Sequence, residues 1–269
     1  MGESRTFAEY ARYYDLLYFD KDYAREAQYV DQLLQRFKPN ARTIIELGSG
    51  TGRHAWHLAK RGYQVHGIER SPGMLASAER LVLQEHSKCV GPEVPRFSLG
   101  DIRTARLPGI YDAAVSLFHV ISYQTTNDDL VNAFNTARAH LIEDGVFLFD
   151  VWYGPAVLTD RPTVRVKRMA NEAVELVRTA EPTMHPNVCV VEVNYQLLVR
   201  DLRSGDTSNS RETHAMRYLF WPEIELLATM SAFHVEHAEE WLTGAPLGEN
   251  TWGACFVLRA NRLPNQPKS

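Results

Sequence analysis

The chain has 269 residues, of which 45% are hydrophobic and 23% charged, and its formal net charge is −4. This length can bury a large core, so we expect one compact domain with an insertion. The acidic balance gives no basic surface for nucleic acid, and no segment approaches the ~18 consecutive apolar residues of a membrane span. The N-terminus lacks an apolar signal core, which makes the cytoplasm the expected location.

The first 155 residues predict a helical segment followed by alternating strands and helices. Residues 7–37 begin with several tyrosines and continue as an amphipathic helix. Strands are then predicted near 43–47, 64–68, 95–99, 112–117 and 145–151, and helices near 53–61, 72–85 and 128–141. This alternation is typical of a doubly wound parallel sheet.

The pattern changes after Asp150. From about residue 163 to 220 the apolar residues recur with a period of two, which indicates an inserted antiparallel sheet with an exposed hairpin loop at 201–211. A helix at 222–232 and strands at 233–240 and 252–260 would complete the main sheet. The predicted fold class is therefore α/β, with a Rossmann-like, doubly wound, seven-stranded sheet that is mostly parallel, its last strand antiparallel, and an inserted antiparallel β-layer.

These elements suggest a division of the chain. Residues 1–155 and 219–262 form the Rossmann-like domain with an N-terminal lid segment. Residues 156–218 form the inserted layer on the substrate side, and residues 263–269 form a tail. The thiols of Cys89, Cys189 and Cys255 are widely separated along the chain, which favours reduced cysteines over a disulfide or zinc site. No metal site is expected.

The turn after the first strand is the most informative segment. Residues 43–52 read Thr-Ile-Ile-Glu-Leu-Gly-Ser-Gly-Thr-Gly, a β-branched strand that runs into three alternating glycines. Glycines let the backbone turn tightly and approach a ligand, and the next helix points its N–H groups at that ligand. Glu69 ends the second strand, where a carboxylate can accept both hydroxyls of a ribose.

Arg53 separates two interpretations of this turn. A dinucleotide fingerprint requires a small residue at that position, so that the helix can approach a diphosphate. S-adenosylmethionine has no phosphate and carries a carboxylate that an arginine can bind. The turn therefore predicts S-adenosyl-L-methionine as cofactor and S-adenosyl-L-homocysteine as product. Asp101 follows the third strand and is suited to the adenine amino group, with Ile102 against the ring.

Four motifs resemble the class I S-adenosylmethionine-dependent methyltransferases. They are Glu-Leu-Gly-Ser-Gly-Thr-Gly, Gly-Ile-Glu-Arg-Ser-Pro-Gly-Met-Leu, Gly-Asp-Ile-Arg and Glu-Asp-Gly-Val-Phe-Leu-Phe-Asp, and the resemblance covers residues 10–153. More narrowly, the chain looks like the nucleotide-linked amino-sugar N-methyltransferases. The motifs that carry this likeness are Tyr14-Asp15-x-x-Tyr18, Lys21-Asp22-Tyr23 and Phe118-His119-x-Ile121-x-Tyr123, followed by an inserted β-layer.

The resemblance implies a set of site residues. The cofactor would contact Tyr14, Tyr23, Glu46, Gly48, Gly50, Gly52, Arg53, Glu69, Arg70, Met74, Gly100, Asp101, Ile102, Leu117 and Phe118. The predicted catalytic residues are Tyr123, His119 and Tyr14. The residues expected to face the acceptor are Trp152, Tyr153, His214 and Arg217. Proximity would supply most of the acceleration, because a tyrosine is a poor base at neutral pH.

The acceptor is open to several interpretations. The preferred one is N-methylation of a nucleotide-linked amino sugar. Gly52-Arg53-His54 resembles the glycine and sarcosine N-methyltransferases, so N-methylation of a small amino acid is an alternative, as is another small-molecule N- or O-methylation. A cofactor-binding protein without transfer activity is the non-enzymatic alternative. The expected partner is a small molecule rather than nucleic acid or membrane, with a homodimer left open.

Overall fold

The computed structural model describes residues 10–86 and 93–262, with side chains from residue 13 onward. Cys89 and the predicted tail at 263–269 lie outside these residues. The helices are α1 (Tyr10–Leu17), α2 (Tyr23–Phe37), α3 (Arg53–Ala59), α4 (Pro72–His86), α5 (Asn127–Ala139), α6 (Gly154–Thr159) and α7 (Trp221–Met230). The strands are β1 (Thr43–Leu47), β2 (Gln64–Glu69), β3 (Arg96–Leu99), β4 (Tyr111–Ser116), β5 (Leu141–Tyr153), β6 (Arg165–Ala170), β7 (Val174–His185), β8 (Val190–Asp201), β9 (Thr207–Leu219), β10 (Phe233–Glu240) and β11 (Gly253–Ala260).

The main sheet has the strand order β3-β2-β1-β4-β5-β11-β10. Strands β1 to β5 pair in parallel, whereas β11 runs antiparallel to both β5 and β10. The predicted fold class, a Rossmann-like sheet with its last strand antiparallel, is confirmed. The order reverses between β1 and β4, and the carboxyl ends of these two strands open a crevice there, which is where open α/β sheets bind their ligands.

The inserted layer is a meander of β6, β7, β8 and β9, each antiparallel to the next. It is joined to the main sheet where β9 pairs in parallel with the end of β5, at Trp152↔Tyr218 and Tyr153↔Leu219. This junction places the inserted layer beside the carboxyl end of the main sheet. The division of the chain into domains stays a prediction.

Helices cover both faces of the main sheet. Successive side chains of a strand point to opposite faces, so each face carries apolar residues that must be buried. On one face, Phe147 and Phe149 of β5 pack with Phe134 of α5 and with residues of α7. On the other, Val146 and Leu148 pack with residues of α2 and α3. Among the described helices, none is long and apolar enough to cross a membrane. Cys189 and Cys255 are free thiols.

Two elements differ from the sequence prediction. The expected loop at 201–211 is a short turn, because the Asp201 carboxylate accepts the N–H groups of Arg203 and Ser204 and closes the hairpin, so that β9 already begins at Thr207. The polar residues there mark an exposed strand instead of a loop. The N-terminal helix is divided in two, since Asp22 caps a new helix by accepting the N–H of Arg25 at 2.9 Å.

Candidate active site

A cavity of about 870 Å³ lies at the carboxyl ends of β1, β2 and β4 and continues beneath the inserted sheet. Its wall comes from three parts of the chain: the N-terminal helices, the loops that follow the parallel strands, and the inner face of β7 to β9. The cavity is therefore bounded by both sheets, with the glycine turn at one end and the inserted layer at the other.

The glycine turn adopts a backbone that few other residues tolerate. Gly48 has φ +78°, and a Cβ there would lie 2.5 Å from Val120 Cγ1. Gly50 has φ +55° and faces open space, since no atom lies within 4 Å of an added Cβ. The N–H groups of Gly48 and Ser49 bind the Ile68 carbonyl of β2 at 2.8 and 3.0 Å. The turn is thus fixed from behind and leaves Gly50 open toward the cavity.

Glu69 holds the far side of this turn. Its Oε2 accepts the Gly50 N–H at 2.9 Å and its Oε1 accepts the Ser71 N–H at 2.7 Å. Burial raises the pKa of its carboxyl. Each carboxylate oxygen has a second lone pair, so both remain able to accept a ligand hydroxyl.

Glu46 lies below the turn and does not line the cavity. Its side chain is 1% exposed, and burial, together with the nearby Glu69, raises its pKa to about 8. Its Oε2 has no hydrogen-bond partner among the described residues. The predicted contact of Glu46 with a cofactor is therefore at most indirect, through the turn above it.

Arg53 and Tyr23 border the same end of the cavity. Arg53 donates its Nε to Asp15 Oδ1 at 2.9 Å, and Thr51 Oγ1 lies 3.1 Å from the same oxygen. The ion pair of Arg53 with Asp15 connects α1 to the start of α3. It leaves the terminal nitrogens of Arg53 without a protein acceptor among the described residues. Tyr23 is buried, its Oη has no hydrogen-bond partner among those residues, and burial raises its pKa. Such an orphaned hydroxyl at a cavity wall fits a polar ligand group.

Asp101 is held by a residue that the sequence interpretation did not use. Arg103 donates its Nε to Asp101 Oδ1 at 2.9 Å and its Nη2 to Oδ2 at 2.6 Å, while its Nη1 reaches Asp129 Oδ1 at 2.9 Å. The Arg103 guanidinium lowers the pKa of the Asp101 carboxyl. Asp101 would have to share its oxygens with Arg103 in binding an adenine amino group.

The loop after β4 carries a strained backbone. Phe118 and His119 have φ +64° and +62°, which costs roughly 1–3 kcal/mol for each non-glycine residue. The His119 N–H lies 3.1 and 3.2 Å from the two oxygens of the buried Asp150 carboxylate, and His119 Nδ1 lies 2.7 Å from Asp150 Oδ2. Lys21 covers the Phe118 ring, with its Nζ 3.9 Å from the centroid. These contacts hold His119 in the cavity wall.

Tyr123 contacts the inserted sheet. Its Oη lies 2.9 Å from His214 Nδ1, and His214 Nε2 lies 3.3 Å from Glu212 Oε2. Burial raises the pKa of Tyr123 well above its ordinary value. The phenol therefore stays protonated at neutral pH and acts as a hydrogen-bonding group.

The structure brings most of the predicted site together and leaves a few residues outside. Gly52, Gly100 and Glu46 do not line the cavity, and neither do Tyr153, His214 and Arg217 on the acceptor side. Neighbouring residues of a strand point to opposite faces, which explains why Tyr153 lies in the core while Trp152 lines the cavity. Arg217 is engaged by Glu223 and the Thr125 carbonyl. The predicted residues that line the cavity are Tyr14, Tyr23, Gly48, Gly50, Arg53, Glu69, Arg70, Met74, Asp101, Ile102, Leu117, Phe118, His119, Tyr123 and Trp152.

Several residues of the inserted sheet line the cavity without having been predicted, among them Arg165 of β6, Arg178 of β7 and Tyr195 of β8. The guanidinium of Arg178 lies 5.1 Å from the Tyr195 ring centroid. Arg178 and Ala180 are two residues apart on β7, so they share the face of the strand that lines the cavity. This alternation is the sequence signal that could have identified Arg178 as a site residue. No group of three potential metal ligands occurs among the residues that the structure describes.

Comparisons with known proteins agree with this geometry. Residues 44–145, which include the glycine turn and Glu69, match the family model of a methyltransferase domain. A dTDP-3-amino-3,4,6-trideoxy-alpha-D-glucopyranose N,N-dimethyltransferase of Streptomyces venezuelae is 27% identical over 89% of this chain and 94% of its own length. A dTDP-4-amino-2,3,4,6-tetradeoxy-D-glucose N,N-dimethyltransferase of Saccharopolyspora spinosa is 31% identical over 58% of this chain and 63% of its own.

Solved structures share the same fold. DesVI of Streptomyces venezuelae is similar with a TM-score of 0.76, at 23% identity over 94% of this chain and 98% of its own. CalS10, a SAM-bound amino pentose methyltransferase of Micromonospora echinaspora, is similar with a TM-score of 0.70, at 23% identity over 97% of this chain and 98% of its own. These likenesses extend over the inserted sheet as well as the main one.

Proposed function

We propose that this chain, an S-adenosylmethionine-dependent methyltransferase with its methyltransferase domain at residues 44–145, methylates the amino group of a nucleotide-linked amino sugar. The observation that carries the proposal is the extent of the likeness to the Streptomyces venezuelae relative. It covers 89% of this chain and so extends into the inserted sheet, which lines part of the cavity. A likeness confined to the methyltransferase domain would support the donor alone.

The residues at the glycine turn fit the methyl donor. The buried Tyr23 Oη has no protein partner among the described residues, and Gly50 faces open space. Arg53 and Tyr23 would hold the carboxylate of the donor, Glu69 the ribose hydroxyls and Asp101 the adenine amino group. When bound, S-adenosylmethionine supplies an electrophilic methyl group on a positively charged sulfur.

The far end of the cavity has the charge that a nucleotide diphosphate would need. Arg165 and Arg178 lie on adjacent strands, and the Arg165↔Ala180 and Lys167↔Arg178 register places their side chains on one face of the sheet. Arginine recognises phosphate oxygens with paired N–H donors. Trp152 and Trp252, whose ring centroids are 5.7 Å apart, add flat apolar surface suited to a sugar or base.

The residues between these two ends determine how the amine is presented. Tyr123 and His119 line the cavity between the glycine turn and the arginines of the inserted sheet, and we expect them to orient the neutral amine for in-line attack. Tyr14, Tyr18 and Phe118 would exclude water, since Tyr18 packs edge-on against Phe118 with centroids 5.1 Å apart. Orientation and exclusion of water can together supply most of the rate enhancement of such a reaction.

N-methylation of glycine or sarcosine remains the second candidate because of Arg53. A cavity of about 870 Å³ is far larger than such an amino acid needs beside the donor. A binding protein without activity is the non-enzymatic candidate, and the same assay distinguishes it.

The experiment is a competition assay with isotopically labelled S-adenosylmethionine. The purified protein is given a nucleotide-linked amino sugar, the same sugar without its nucleotide, the hydroxyl analogue of the nucleotide-linked sugar, and glycine with sarcosine. We expect label only in the nucleotide-linked amino sugar. Faster labelling of glycine would favour the second candidate, and binding of the donor without any labelled product would contradict enzymatic activity.

Two further expectations concern the setting of the protein. We propose that it acts in the cytoplasm, and its oligomeric state, a monomer or a homodimer, is left open. Analytical ultracentrifugation at micromolar concentration distinguishes these two states.

A further inference from the structure

We propose that Tyr123, His214 and Glu212 form a proton relay that removes a proton from the bound ammonium group before methyl transfer. The inference rests on the proposed function, since it requires an amine acceptor. It assigns roles to His214 and Glu212 that differ from the predicted contact of His214 with substrate.

The geometry of the relay leads from the cavity into the protein. Tyr123 ends a short 3₁₀ helix, Ile121–Tyr123, and lines the cavity. His214 and Glu212 are two residues apart on β9 and so lie on the same face of that strand. Their side chains are 2% and 6% exposed. The two hydrogen-bond distances, 2.9 Å and 3.3 Å, connect the phenol at the wall to a carboxylate sheltered behind it.

The donors and acceptors fix the direction of the chain. A carboxylate only accepts, so Nε2 of His214 must carry the hydrogen that it donates to Glu212. Nδ1 of the neutral imidazole then accepts, and the Tyr123 hydroxyl donates to it. A phenol oxygen is an acceptor as well as a donor, so Tyr123 would accept an N–H group of the bound amine. Tyr123 is thereby prepared to pass a proton on without becoming a phenolate, a state that its burial disfavours.

The charged and titratable groups around the relay come from several elements. Tyr195 of β8 packs edge-on against His214, with centroids 4.8 Å apart, and Arg178 of β7 lies beyond Tyr195. Burial raises the pKa of Tyr195 to about 12, so it stays neutral. Tyr18 and Arg70 act on Tyr123 from the cavity side. Glu212 is the one carboxylate hydrogen-bonded to His214 among the described contacts, and it can stabilise an imidazolium there.

The chemistry balances without a further reactant. An amine beside electronegative groups titrates near pH 8, as α-amino groups do, so most of it arrives as ammonium at neutral pH. One N–H proton moves to Tyr123 Oη while the Tyr123 O–H proton moves to His214 Nδ1. This leaves a neutral amine, a neutral phenol and an imidazolium paired with Glu212. The nitrogen lone pair then forms the bond to the methyl carbon as the carbon–sulfur bond breaks, and its electron pair stays on sulfur.

The test compares the pH dependence of kcat in Glu212→Gln and in the wild type. Glutamine keeps the size and a hydrogen-bond acceptor but cannot balance an imidazolium, so the ammonium keeps its proton more often. We expect kcat at pH 7 to fall about tenfold and to recover by pH 9, where the amine loses its proton to water. A structural defect would lower kcat equally at every pH.

A matched control is the exposed pair of His185 and Glu192 on the same sheet, with 3.0 Å between His185 Nε2 and Glu192 Oε2. Glu192→Gln should leave the pH profile unchanged, and Tyr123→Phe should show the same deficit at pH 7 together with a smaller loss at every pH, because Tyr123 also orients the amine. Thermal unfolding and binding of S-adenosylhomocysteine verify that each variant is folded. A Glu212→Gln profile that follows the wild type overturns the relay. If the wild type instead prefers another amine, the proposed function fails. The relay is then tested by comparing the pH dependence of kcat in Glu212→Gln and in the wild type with that amine.

Discussion

Individual polar atoms at the glycine turn give the sharpest expectations for donor binding. The Oη of Tyr23 is buried without a partner among the described residues, so Tyr23→Phe removes an unsatisfied group from the free protein. We expect the free energy of unfolding of the ligand-free protein to rise by about 1 kcal/mol, while affinity for S-adenosylmethionine falls about tenfold. Denaturant unfolding and calorimetry measure the two quantities.

Tyr29 provides the contrast for this prediction. Its hydroxyl donates to Glu239 at 2.7 Å, away from the cavity wall, so Tyr29→Phe should destabilise the protein and leave donor affinity unchanged. Loss of stability without loss of affinity in Tyr23→Phe would show that the Tyr23 hydroxyl has a structural partner instead of a ligand.

Arg53 should act on one part of the donor, its carboxylate. Its side chain is about one third exposed, so Arg53→Gln should weaken S-adenosylmethionine binding by only about tenfold. Binding of decarboxylated S-adenosylmethionine should not change, and calorimetry compares the two ligands. Arg61→Gln is the matched control, because Arg61 pairs with Asp31 at 3.0 Å in a similar surface ion pair outside the cavity wall. Equal losses for both ligands would contradict the assignment.

At the scale of elements, the glycine turn is tested at the position that faces open space. In Gly50→Ala the new methyl group enters the cavity and not the protein, so we expect donor affinity to fall at least about tenfold with a stability loss of about 1 kcal/mol from the left-handed backbone. Gly205→Ala is the control. Gly205 lies in the exposed hairpin turn with φ +80° and no atom within 4 Å of an added Cβ, so the substitution causes the same backbone strain away from the cavity. Similar donor affinities in the two variants would place the cofactor elsewhere.

The elements that sequence predicted well are those with a local stop signal. β1 ends where the glycine turn begins, and β10 is bounded by a turn on each side, so both agree with the predicted ranges. The separation of α1 from α2 was missed although Asp22 carries a capping signal, because the run of tyrosines around it dominated the pattern. Helix α6 was missed because it has only six residues, too few for the helical repeat of apolar residues to be recognised.

The site was predictable only where its residues are close in sequence to a motif. The residues around Gly48, Glu69 and Asp101 follow strand ends, and strand ends of a doubly wound sheet meet at one edge. The contact of Tyr123 with His214 joins residues 91 positions apart, and it depends on how the inserted sheet docks on the main one. No spacing in the chain contains that information.

At the scale of the whole molecule, Glu46 links the site to stability. Its folded pKa of about 8 lies above its unfolded value of 4.5, so the folded state keeps a proton that the unfolded state releases. The stability of the ligand-free protein should therefore fall as pH rises from about 4.5 to about 8. Glu46→Gln cannot ionise, and we expect it to be more stable than the wild type by on the order of 3 kcal/mol at pH 8 and by little at pH 5.

Denaturant unfolding at the two pH values measures this difference. Glu175→Gln, in an exposed pair with Arg200, is the control and should show no such dependence. An equal gain at both pH values in Glu46→Gln would mean that the Glu46 carboxyl is already ionised in the folded protein.

The central claim, that the two-sheet cavity brings a sugar amine to the donor methyl group, is tested most directly by locating the transferred methyl. The protein is incubated with S-adenosylmethionine that carries a ¹³C-labelled methyl group and with a nucleotide-linked amino sugar, and the product is examined by NMR and mass spectrometry. We predict one or two labelled methyl groups bonded to the sugar nitrogen. Label on a sugar oxygen, or an unmodified sugar under conditions in which the donor binds, would contradict the account.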